Sequence, residues 1–177
     1  MISKGGANPG EFLCEGVVVL GPSPAVDVTV RQSGDGTPDA TLHVVRKDGT
    51  TWADSGSGLA ETTDPAAGAA ADYLLPAALF GAADNSYVAR MTTVREEQQN
   101  GIAAVHLVAS PELVEENGAG QQFGLRDATW TWDVWVAKEG GYIVRYELLG
   151  STLAGATASL VVDLTEINSA ANVVSTP

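Results

Sequence analysis

The chain has 177 residues, and 9 Lys+Arg against 22 Asp+Glu give it a formal net charge of −13. Apolar residues make up 45%, too many for a disordered chain, and the length suits one domain that buries roughly 70% of its unfolded surface. Nucleic acid and anionic lipid headgroups are disfavoured as partners, because both need a basic footprint and the longest basic run is Arg46-Lys47.

Residues 1–11 read as an N-terminal extension, and the start Met1-Ile2-Ser3-Lys4-Gly5-Gly6 is compatible with an exported protein without its signal. Cys14 is the sole cysteine, so an intrachain disulfide and a cysteine-based zinc cluster are both ruled out. Its setting, Glu11-Phe12-Leu13-Cys14-Glu15-Gly16, lacks the small residues and apolar stretch of a lipid-attachment site, and reads as a strand. No apolar run reaches the roughly 18 residues of a transmembrane helix.

Period-two alternation then dominates. Phe12 to Leu20 is a first strand, and Val26, Val28 and Val30 alternate with Asp27, Thr29 and Arg31 in a second. Ala40 to Lys47 follows, and Asp48-Gly49 is a hairpin turn into a short strand carrying Trp52. Near Ala66 the period lengthens. Tyr73, Leu74, Leu75, Leu79 and Phe80 predict an amphipathic helix over 69–83, with Asp64-Pro65 as cap and first turn and Pro76 as a break.

Strands resume at Tyr87 to Arg95 and Ile102 to Ala109, joined by the polar run Glu96 to Gly101. Pro111 to Glu116 can open a second helix, while Gly118, Gly120 and Gly124 favour loop over most of 111–127. Thr129 to Lys138 and Tyr142 to Leu149 form a hairpin about Gly140-Gly141, and Ala154 to Ile167 is a last strand. The polar tail 168–177 is expected to fray. About eight to ten strands without βαβ alternation predict a mainly β (α+β) fold built on antiparallel strands.

Chemistry is sparse. His43 lies opposite Leu42 and Val44, and His106 opposite Val105 and Leu107, so both read as solvent-facing strand histidines and weak zinc ligands. Ser55-Gly56-Ser57-Gly58 has no nucleophile-elbow context, and neither a phosphate loop nor a dinucleotide fingerprint occurs. Glu96-Glu97 and Glu115-Glu116 read as solvated acids. Asp133 and Glu147 read as cross-strand partners of Arg145 or Lys138. No enzyme, cofactor or metal is expected. Trp130, Trp132, Val134 and Val136 share one strand face while Trp135 occupies the other, so each side of this strand should be covered.

Acidic strands, the helix Asp72-Tyr73-Leu74-Leu75-Pro76-Ala77-Ala78-Leu79 and the hairpin Asp133-Val134-Trp135-Val136-Ala137-Lys138-Glu139-Gly140-Gly141-Tyr142-Ile143-Val144-Arg145-Tyr146 together resemble the LolA-like superfamily. The likeness is nearest to LppX/LprG-type exported lipoproteins, which also carry a strand like Ala104-Val105-His106-Leu107 after a turn like Gln99-Asn100-Gly101. The resemblance spans about residues 12–167. It implies a single half-barrel domain, a strongly curved antiparallel sheet closed by one or two short lid helices.

It further implies a non-enzymatic extracytoplasmic protein that holds a lipid or acylated ligand and is tethered through an N-terminal anchor absent from this chain. Cys14 departs from that pattern by lying inside the first strand. The cavity lining is then expected from Trp52, Leu74, Leu75, Leu79, Phe80, Val105, Leu107, Trp130 and Trp132. The alternative is a sensor or scaffold domain of the same fold, which meets a protein partner through an exposed edge or lid and has no small-molecule ligand.

Overall fold

The computed structural model describes residues 2–4, 10–19, 23–34, 37–73, 85–118, 123–125 and 127–177. Among these residues the protein is mainly β, with antiparallel pairing throughout and three short helices. It divides into two compact units, each built on antiparallel strands. One comprises Gly10–Leu79 with Asn168–Pro177, and the other Phe80–Ile167 with Met1–Pro9.

In the first unit, β2 (Gly10–Val19), β3 (Ala25–Gly34), β4 (Thr37–Lys47), β5 (Thr50–Asp54) and β6 (Ala60–Glu61) pair in sequence order. The alternation read in β3 is realised. Val26, Val28 and Val30 are buried with Val44, and the helix α1 (Pro65–Tyr73) covers them through Ala70 and Ala71. Asp48 and Gly49 both take positive φ (51° and 82°), the geometry that a two-residue hairpin turn requires. Cys14, half-buried in β2, packs against this core, and burial pushes its thiol pKa up.

Helix α1 begins at Pro65, where the Asp64 carboxylate accepts the Ala66 amide at 2.9 Å. Its buried face is alanine, at Ala67 and Ala71, four residues apart. The leucine-bearing continuation anticipated over 69–83 lies outside the described residues beyond Tyr73. The opposite sheet face is also covered. There Ala25, Val45, Trp52 and Leu59 surround Val174, and the Lys47 ammonium donates to the Val174 carbonyl at 3.0 Å. The tail expected to fray is therefore held at Val174, which is 3% exposed and packed among these residues.

In the second unit the order is β1 (Ile2–Lys4), β11 (Thr157–Asp163), β10 (Ile143–Ser151), β9 (Thr129–Ala137), β8 (Ile102–Val108) and β7 (Thr92–Gln99). Strand β7 begins at Thr92, not at Tyr87 as alternation suggested. Residues Asn85–Val88 form a short helix, α2, so that Tyr87 can reach Trp132, ring centroids 6.1 Å apart. The Glu96–Gln99 run, read as a connection, belongs to β7. An edge strand exposed on both sides has no need of apolar alternation.

Helix α3 (Pro111–Asn117) is capped by Ser110, whose hydroxyl accepts the Leu113 amide at 3.3 Å, and it ends at Gly118 with φ 67°. Its Leu113 and Val114 complete a core with Trp132, Val134, Tyr146, Leu148 and Leu160. At the far corner Asn100 donates to Asp163 (3.2 Å) and to the Leu164 carbonyl (3.0 Å). Three strand spacings of about 4.8 Å separate β8 from β11 in a flat sheet, so this corner curls.

Close backbone approach also leaves a sharp requirement at Gly16, opposite Val28. A Cβ there would lie 2.1 Å from the Asp27 carbonyl oxygen and 2.6 Å from Val28 Cα. Gly16→Ala is expected to destabilise the protein by about 2 kcal/mol or more, since neither obstacle can rotate away. Chemical denaturation of the two proteins measures it, and an unchanged midpoint would contradict this packing.

Candidate functional site

Helix α3 and the start of β9 bound a groove of about 360 Å³ lined by Pro111, Val114, Glu115, Gly118, Leu125, Ala128, Thr129 and Trp130. The helix contributes through its spacing. Pro111, Val114, Glu115 and Gly118 stand three or four residues apart on one side of a seven-residue helix. A bidentate ion pair holds that helix from behind, with the Arg90 guanidinium meeting Glu116 at 2.7 and 2.6 Å. Hydrogen bonding from Arg90 lowers the Glu116 pKa.

On the sheet side Trp130 tilts against Phe123, centroids 5.2 Å apart. Beneath it lies Gly150, its register partner on β10, where a Cβ would come within 2.5 Å of the indole. The glycine therefore lets the Trp130 ring lie down across the neighbouring strand.

The expected lining residues fall into distinct places. Trp130 lines the groove. Trp132 shares its face but is fully buried in the core beside Leu148. Val105 and Leu107, half-buried, stand opposite Val136 and Val134 on the same side of the sheet. Trp52 belongs to the other unit, among Ala25, Val45 and Val174, on the face away from α1. Leu74, Leu75, Leu79 and Phe80 lie outside the described residues. Missed in the sequence were Pro111, Val114, Leu125 and Ala128. The apolar positions of 111–117 were the available signal, outweighed by the neighbouring glycines.

The opposite face of the second unit carries a row of paired residues, one per strand: Arg95, His106, Trp135, Arg145 and Asp163. The His106 and Trp135 rings stack at 4.2 Å and 7°, and the Arg145 guanidinium lies 5.4 Å from the indole centroid. His106, read as solvent-facing, is 8% exposed. The difference has a physical cause: Trp135 covers it, and its Nε2 donates to Asp133 at 2.6 Å, which offsets part of the cost of burial. Its Nδ1 has no hydrogen-bond partner and lies 3.6 Å from a Glu97 oxygen.

Asp133 thus pairs with a histidine, while Glu147 meets Arg145 at 2.8 Å along its own strand, two residues apart, and not across the ladder as expected. Lys138 instead reaches Glu96, at 2.5 Å. Arg145 also meets Asp163 at 2.7 Å. Burial would lower its pKa, but the hydrogen bonds to Glu147 and Asp163 outweigh that and raise it. His43, in the other unit, lies 2.7 Å from Asp27. Neither histidine lines the groove, and among the described residues no group of three or more His, Cys, Asp or Glu could hold a metal ion. No helix among them is long and apolar enough to cross a membrane. Compared with family models, curated proteins and solved structures, the chain matches none.

Glu97 ties this face together. It accepts Arg95 Nε and the Trp135 indole N–H, each at 2.7 Å. Those two bonds, the Arg95 bond first, hold its carboxyl below the ordinary value of 4.5. A depressed folded pKa contributes stability above the unfolded value and loses it as pH falls through the folded one. The Trp135 indole proton resonance should therefore titrate with a midpoint below 4.5. Trp135→Phe, followed at the Glu97 side chain, should move that midpoint up. A Glu97 midpoint that Trp135→Phe leaves in place would show the indole bond to be immaterial.

Proposed function

We propose that the protein is a non-enzymatic binding protein that carries or senses a lipid or acylated ligand, with the groove between α3 and β9 as its site. The observation that carries this reading is the groove itself. It has about 360 Å³ of space, within the range of small-molecule sites, beside Val114, Leu125, Ala128 and Trp130. Each methylene of a bound chain that the groove removes from water contributes about 0.8 kcal/mol. Nothing in such a site requires chemistry. Half-barrel architecture with one or two lid helices, extracytoplasmic placement and an N-terminal tether belong to the same proposal, carried by the resemblance to LolA-like carriers.

The sensor or scaffold reading rests on the exposed edge strand β7, which could receive a partner strand. That edge is guarded instead. Its register shifts between Thr93 and Arg95, and Arg95, Glu96 and Glu97 follow in succession. A bulge and a run of charge discourage strand addition, so the groove is the better-supported site.

Decyl maltoside, a neutral single-chain probe, should bind below its micelle concentration with Trp130 indole shifts in NMR spectra. Ala128→Phe, which fills the groove from a half-buried position, should weaken that binding by about tenfold or more. Thermal unfolding verifies that the variant is folded. Undiminished binding by folded Ala128→Phe, or none by the parent protein, would overturn the proposal.

A further inference from the structure

The groove is not neutral. Among the described residues that line it, Glu115 is the sole ionisable side chain and none is lysine or arginine. Its neighbour Glu116 is matched by Arg90, whereas the Glu115 carboxylate makes no hydrogen bond or ion pair among the described residues. The chain around it carries a net charge of −13. An apolar trough with an unmatched carboxylate at its wall, in an acidic protein, favours one sign of headgroup.

We propose that the occupant of the groove is a cationic amphiphile: an apolar chain laid along Val114, Leu125, Ala128 and Trp130, with an ammonium group beside Glu115. The inference rests on the apolar-ligand reading given above and adds the charge of the headgroup. A fatty-acid carboxylate in the same position would face Glu115 with like charge and gain nothing from the acidic surroundings. An ammonium gains the Glu115 attraction, and the Trp130 indole offers a ring for cation–π contact. Because Glu115 is exposed, that attraction is screened by salt.

The test compares decyltrimethylammonium, decanoate and decyl maltoside by calorimetry on the full chain, each below its micelle concentration and at low ionic strength. The ammonium is expected to bind about three- to tenfold more tightly than the carboxylate, with the difference shrinking as salt is added. Glu115→Gln should bring the two affinities together. Glu139→Gln, at an exposed acid in the β9–β10 turn, removes the same unit of net charge and should leave the preference in place. Equal affinities in the parent protein, a preference that survives Glu115→Gln, or one abolished equally by Glu139→Gln would each overturn the inference, with the apolar-ligand reading still standing. Failure of all three probes to bind would overturn that reading, and this one with it.

Discussion

Strand β9 is the constraint on which the second unit depends, because it must satisfy two different environments at once. Its alternate residues point to opposite faces. Trp132 and Val134 are fully buried against Tyr146, Leu148 and α3, while Asp133 and Trp135 stand in a polar layer with His106 and Arg145. A slip of one residue would place an aspartate in the apolar core and an unpaired valine among the charges. Burying that carboxylate without a partner costs several kcal/mol, so the register of the hairpin is set by both faces together.

The polar layer shows how a charged row can be kept on a sheet without becoming a site of chemistry. The charged groups have complements, Arg145 with Glu147 and Asp163 and Arg95 with Glu97, and His106 is hydrogen-bonded to Asp133. The Trp135 ring occupies the middle, shielding His106 on one side and receiving Arg145 on the other. Exposed pairs of this kind contribute little individually. Their geometry here is cooperative, since Trp135 also donates to the carboxylate that Arg95 holds. The groove lies on the other side of β9, so the protein separates the surface where charge is matched from the one where apolar space and an unmatched acid remain.

Much of this was legible from local pattern. The β3 alternation, the Asp48-Gly49 turn, the Asp64-Pro65 helix start and the β9–β10 hairpin depend on residues within a few positions of each other, and strand parity predicted correctly that Trp130 and Trp132 share a face. Parity does not say what lies above a strand. It put His106 on the side away from Val105 and Leu107, which holds, but the ring that covers it comes from 29 residues further along the chain. It also grouped Trp130 with Trp132 as lining, whereas only Trp130, lying over Gly150, reaches the groove.

The sequence alone determined the mainly β character, the turns and the acidic exterior, because periodicity, positive-φ residues and charge act through the chain's own neighbours. Tertiary structure decided which residue is edge, core or groove. Glu96 and Glu97 entered a strand because β8 offered hydrogen bonds on one side only. The tail was fixed because Val174 found Ala25 and Val45, more than a hundred residues earlier. The −13 charge changed meaning in the same way: most of the acids with partners are neutralised by neighbours that no spacing rule pairs, and on α3 Glu116 found Arg90 while Glu115 faces the groove. Contacts of that range are set by which surfaces bury together, a quantity that no local pattern contains.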